Sequence, residues 1–349
     1  MTVIRPTAEA ADASGAARRQ ATRRAVAVLA LVAVAALIPL LGPSAALNDT
    51  GEAAAPATGG VALLRTVLFA ALCVPAGELF AARLARRVPG APRVAAPRSW
   101  AAYAAAAGFV VALGLASVVA TGNLLPRRLS DMDVGGLYQT RDGRLALLEV
   151  NAFAVAWLCA RSRRPAAQVW PLAAVVLAEA LRAHPATEHG VPVGSALTVV
   201  HVTCAALWTG GLLHVLRVLG GWRAAPGVTK GPGADGSSPA GAALLGLYAR
   251  VAAVLFAAIT ATGVWSALRR MPPGTIVGQL TSTAYGRALL AKVLLVAVVA
   301  ALALAARLRL RRAGDPIGAC SPARAEVVAL GMVVAVSGLL TALPLPIRW

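Results

Sequence analysis

The sequence predicts an all-α membrane protein, a polytopic helix bundle of about nine transmembrane spans. Three observations carry that prediction. Hydrophobic residues make up 58% and charged residues 13% of the 349, with a mean hydropathy of +0.72, against roughly 25% charged in a soluble domain. Apolar runs close to the roughly 20 residues that cross a bilayer recur along the chain. Arginine and lysine gather in alternate connections between those runs, the asymmetry that orients membrane helices.

The runs fall at 25–46, 61–82, 100–121, 144–160, 167–183, 195–219, 241–267, 286–306 and 325–343. Basic clusters mark the N-terminal tail (Arg18, Arg19, Arg23, Arg24) and the connections after the second run (Arg83, Arg86, Arg87, Arg93, Arg98) and the fourth (Arg161, Arg163, Arg164). They recur after the sixth (Arg217, Arg223, Lys230) and the eighth (Arg307, Arg309, Arg311, Arg312). The prediction is therefore a multi-pass protein of the cytoplasmic membrane with a cytoplasmic N-terminus and an extracytoplasmic C-terminus. The first run has the basic start and small-residue end of a signal peptide, but its length favours a retained anchor.

The net charge of +19 reads as topogenic, because the arginines lie in short clusters without the aromatic or glycine patterning of a nucleic-acid module. Membrane lipid is the expected surrounding, and nucleic acid is not an expected partner. The four cysteines, Cys73, Cys159, Cys204 and Cys320, imply no disulfide framework.

Two stretches resemble each other. "ATGNLLPRRLSDMDVGGLYQTRDGRLALL" begins at Ala120 and "ATGVWSALRRMPPGTIVGQLTSTAYGRALL" at Ala261. Each has Ala-Thr-Gly, a double arginine and then Thr-x-x-Gly-Arg opening the next run (Thr140 to Arg144, Thr283 to Arg287). The shared order divides the chain into a cytoplasmic tail (1–24), an anchor (25–46) and two four-helix halves, 60–183 and 184–349. Four spans per half give both the same orientation, related by an axis along the membrane normal; chance likeness in an alanine-rich sequence is the competing reading.

All four histidines, His184, His189, His201 and His214, fall in or just before "HVTCAALWTGGLLHVL", residues 201–216. On a helix His201, Cys204, Trp208 and Gly211 share a face, and Gly210 and Gly211 permit close approach of a neighbouring helix. His184 and His189 precede the turn into this run, so ligands from two helices can meet near the outer surface. His214 lies about 20 Å further along the helix axis and on another face. Imidazole and thiolate together suit copper or zinc, sulfur favouring Cu(I), and ionisable groups inside a bilayer point to function. The alternative is structural: His201 hydrogen-bonds a neighbouring helix and Cys204 packs.

That stretch resembles the signature of the CopD copper-resistance membrane proteins, in which a histidine begins the helix and W-x-G-G follows. The resemblance continues through "YARVAAVLFAAITATGVWSAL", "TSTAYGRALLAKVLLV" and "ARAEVVALGMVVAVSGLLTALPLP", closely over 180–346 and loosely over 60–180. It implies copper transport or homeostasis at the cytoplasmic membrane, with uptake slightly favoured and a periplasmic copper-binding protein as partner. The family's histidines fall on His184 and His201. At His184 the chain reads Arg-Ala-His-Pro rather than the family's Gly-His-Ala.

Secondary candidates are Met132 and Met271, thioethers in matching outer connections that suit Cu(I), and Glu149 and Glu179 as charge relays or partners of Arg144 or Arg182. Glu78, Asn151 and Lys292 are further polar groups in or near apolar runs. No nucleotide-binding loop, CxxC module or nucleophilic triad is present, and the chain is not expected to be an enzyme. A membrane haem protein or electron carrier, with His184 and His201 as axial ligands, is the rival expectation.

Overall fold

The computed structural model describes residues 26, 30–53, 55, 57–92, 96–125, 128, 133–184, 190–223, 239–271, 273–312 and 320–344. His189 and Met132, the tail 1–24 and the end of the chain beyond 344 lie outside them. The described residues are helical, with no strand among them. Helix α1 is Ala30–Leu47, followed by α2 Thr58–Ala85, α3 Ala101–Thr121, α4 Val134–Gln139, α5 Arg141–Arg161 and α6 Val169–Arg182. The rest is α7 Val191–Arg223, α8 Pro239–Arg270, α9 Ile276–Ser282, α10 Ala284–Arg312 and α11 Cys320–Leu340.

Seven of these, α1, α2, α3, α5, α7, α8 and α10, are long and apolar enough to cross a membrane. The expected fifth and ninth spans correspond to α6 and α11, which are not among the seven. Helix α6 has 14 residues, about 21 Å of rise, and carries Glu179 and Arg182 in its last turn. Large side chains such as Val110, Leu158, Trp170, Val254 and Val298 point outward, as expected where the solvent is hydrocarbon.

The two resembling stretches fold alike at one point and differently at another. Thr140 caps α5 and Thr283 caps α10, each accepting from the amide of the glycine immediately before the arginine (Gly143 and Gly286) at 3.0 Å. Each long helix is preceded by a short one, α4 or α9. A Cβ on Gly143 would meet the Leu137 carbonyl, and one on Gly286 the Gln279 carbonyl, so glycine is needed where the short helix folds back. The Ala-Thr-Gly copies diverge. Gly122 closes α3 with φ 72°, whereas Gly263 lies inside α8, beneath the His201 ring.

The bundle centre is the crossing of α2 and α7. A Cβ on Gly77 would meet the Gly210 backbone, and one on Gly210 the Cys73 carbonyl. Two helix backbones therefore touch where lipid-phase association depends on van der Waals contact rather than on a hydrophobic drive.

Candidate functional site

Helix α7 positions the histidine stretch. His201 sits on the side of α7 that packs against α8, its Nδ1 3.0 Å from Thr262 Oγ1. The threonine hydroxyl also donates to the Ala258 carbonyl at 2.7 Å, so its proton is committed along its own helix and the imidazole is the donor to it. That arrangement fixes the tautomer and turns Nε2 away from the threonine.

The same face continues along α7. Trp208 is buried and meets Phe256 of α8 edge to face, centroids 5.4 Å apart. Its carbonyl accepts from Tyr248 at 2.8 Å. Gly211 follows, where a Cβ would come within 2.8 Å of Phe80 and 3.2 Å of Tyr248. Cys204 is half-buried beside this cluster and is a free thiol. Gly210 faces α2 instead.

His184 lies just past α6 and is 3% exposed. Its Nε2 is 3.0 Å from Thr198 Oγ1 of α7, and its ring covers Gly194, where a Cβ would stand 2.6 Å from Nδ1. Gly194, Thr198 and His201 are spaced i, i+4, i+7, one stripe of a helix. His184 therefore rests on that stripe one turn before His201. The turn carrying it is clasped by arginines. Arg141 donates to the Leu181 and His184 carbonyls at 2.8 and 3.0 Å, and Arg270 donates to the Ala183 carbonyl at 3.3 Å.

Just before that turn four charges meet in the bundle. Arg182 donates through Nη1 to both oxygens of Glu149, at 2.8 and 2.9 Å, and to Glu179 at 3.2 Å, and Arg65 of α2 pairs with Glu179. Glu149 is fully buried and Glu179 nearly so. Arg182 is one of the two partners read from sequence; Arg65, missed there, was visible as a lone arginine inside the second apolar run. Among the described residues no ion pair joins Arg144 to either acid.

The remaining candidates separate. Met271, in the connection just after α8, is 1% exposed and packs in a core cluster with Ala284, Tyr285, Ala288, Val336 and Leu339. His214 is buried at the other end of α7, its Nδ1 3.1 Å from Arg217 and its ring edge-on to Trp100. Lys292 of α10 lies within electrostatic reach of His201. Among the described residues no three His, Cys, Asp or Glu side chains gather as a metal cluster. His184, resting on α7 at Thr198, and His201 and Cys204 of α7 are thus successive stations along that helix, not one chelate. The two imidazoles bond hydroxyls of different helices, an arrangement that lends the axial-pair reading no support.

Residues 242–343 match the family model described as Copper resistance protein D. The match runs from the start of α8 to the end of α11 and includes Thr262, Gly263 and Glu326. No curated protein and no solved structure matches the chain.

Proposed function

We propose a copper-related membrane function, supported by the match of residues 242–343 to the copper resistance protein D model in a helical chain with seven candidate membrane spans. Within that, the chain passes copper across the cytoplasmic membrane, in the direction of uptake, from His184, seated against α7 at Gly194 and Thr198, to His201 and Cys204 of α7. With the N-terminus cytoplasmic on the distribution of arginines, and with α6 counted as a crossing although it falls short of the span length, α7 begins at the outer surface. A periplasmic copper-binding protein delivers the ion there.

The observation that carries the reading is the His201–Thr262 bond, because it joins the histidine stretch to the helix that opens the family match. Separated single ligands suit a cargo. An ion that must leave binds to several weak stations more usefully than to one closed cage. From Thr198, where His184 rests, to His201 is a rise of about 4.5 Å, and to Cys204 about 9 Å. Imidazole accepts either oxidation state of copper, and the thiol favours Cu(I). The arginine clasp and the charge network hold the end of α6 so that His184 keeps its place over Gly194.

The test is the copper phenotype of cells carrying His201→Ala at unchanged protein level in the membrane. Loss of the phenotype supports the assignment. Normal copper behaviour removes His201 from the path. A Soret band in the purified wild-type protein would move the reading to electron transfer.

A further inference from the structure

Beside the middle of α7, past Cys204 from His184, a cavity of about 230 Å³ is lined by Trp208, Tyr248, Phe256, Arg307, Glu326 and alanines of α8 and α10. Its position follows from the packing. Helix α8 rests on α7 and α10 on α11, while α8 and α10 have no packed interface with each other among the described residues. The cavity is therefore a groove open sideways between two membrane helices, with α7 and α11 as its floor.

Glu326 is the unusual group. It is 5% exposed, and a buried carboxylate requires a compensating charge or hydrogen bonds. The other two buried carboxylates, Glu149 and Glu179, have arginines; among the described residues no salt bridge reaches Glu326. Trp208 lines the same cavity, and its indole N–H is close enough to act on the carboxyl, at most one donor for about four acceptor positions on an ionised carboxylate. The Tyr248 hydroxyl is committed to the Trp208 carbonyl. Arg307 stands exposed at the groove, in the basic end of α10.

We propose that this groove binds the headgroup of a zwitterionic aminophospholipid, phosphatidylethanolamine in type, from the leaflet at the Arg307 end. The ammonium donates to Glu326 beside the faces of Trp208, Tyr248 and Phe256, where a cation is also favoured by the ring quadrupoles. The phosphate meets Arg307, and an acyl chain follows the alanines of α8 and α10. The charges select the class. An anionic headgroup would meet Glu326 unfavourably, and a bare cation would have to pass Arg307. A quaternary ammonium has no N–H, so it would leave the carboxylate's remaining acceptors unpaired in an apolar site. The proposal rests on the membrane reading of the helices and not on copper handling.

The experiment uses the full-length protein, delipidated in detergent without copper, then offered equal phosphatidylethanolamine, phosphatidylcholine and phosphatidylglycerol, with retained lipid counted by native mass spectrometry. The wild type is expected to retain phosphatidylethanolamine over either competitor by roughly fivefold or more, the ratio that about 1 kcal/mol supplies. Glu326→Gln and Arg307→Gln should each bring the three lipids close to parity. If Glu326→Gln does not fold, Arg307→Gln, at an exposed position, carries the test alone. Equal retention of all three by the wild type would overturn the proposal. So would a preference for phosphatidylglycerol, which marks a simple basic patch, or a phosphatidylethanolamine preference that survives in both folded variants.

Discussion

His201 Nδ1 and Thr262 Oγ1 lie 3.0 Å apart across the α7–α8 interface. The bond ties the histidine stretch to α8, and it decides which ring nitrogen faces the neighbouring space. Removing the hydroxyl while keeping the shape should therefore act on metal handling more than on folding. Thr262→Val is expected to lower copper affinity by roughly tenfold or more, the usual cost of losing a ligand's orienting partner. Thr262→Ser should restore it. Copper titration of the purified variants checks both.

Lys292 places an ammonium within electrostatic reach of His201. A cation bound at His201 is repelled by it, which helps release and weakens retention. Lys292→Met should raise copper retention severalfold and slow its departure, read by competition with a chelator of known affinity. Unchanged retention would mean that copper does not sit at His201.

The pairs formed by Arg65, Arg182, Glu149 and Glu179 are mutually dependent, because removing one partner leaves an opposite charge buried. Arg182→Met should destabilise the protein by about 3–5 kcal/mol, seen as a lowered Tm in detergent. The double variant Arg182→Met with Glu149→Leu should recover part of the loss. Full additivity would contradict a coupled network.

Gly210→Val places a branched side chain against the Cys73 carbonyl, where even a Cβ has no room. Helices α2 and α7 must separate, and the expected outcome is loss of folded protein from the membrane rather than a transport defect. Gly246→Val, at a glycine with nothing near its Cβ position, is the control and should accumulate normally.

The sequence made the helices legible because hydrocarbon imposes a length and a composition on them. It was less informative about α6, whose apolar run reads as a span but whose helix is 14 residues. Near its end, Glu179 pairs with Arg65 from a helix more than 100 residues earlier in the chain and Arg182 with Glu149 of α5, partners that no local pattern indicates. The histidines illustrate the same divide. Their clustering along α7 was readable, whereas the hydroxyl partners Thr198 and Thr262 depend on how α6 and α8 pack. Met271 shows the same divide: the sequence places it in a connection, and its burial in a core there depends on how the helices pack. Glu326 lay inside the ninth apolar run, and its importance emerged only with the groove between α8 and α10.

The most direct test of the central claim is copper flux into proteoliposomes reconstituted with wild-type protein, His201→Ala and Thr262→Val, each checked for folding. The account predicts flux with the wild type, none above protein-free vesicles with His201→Ala and a reduced rate with Thr262→Val. Equal flux in all three would contradict it, since copper would then cross without the α7 stripe.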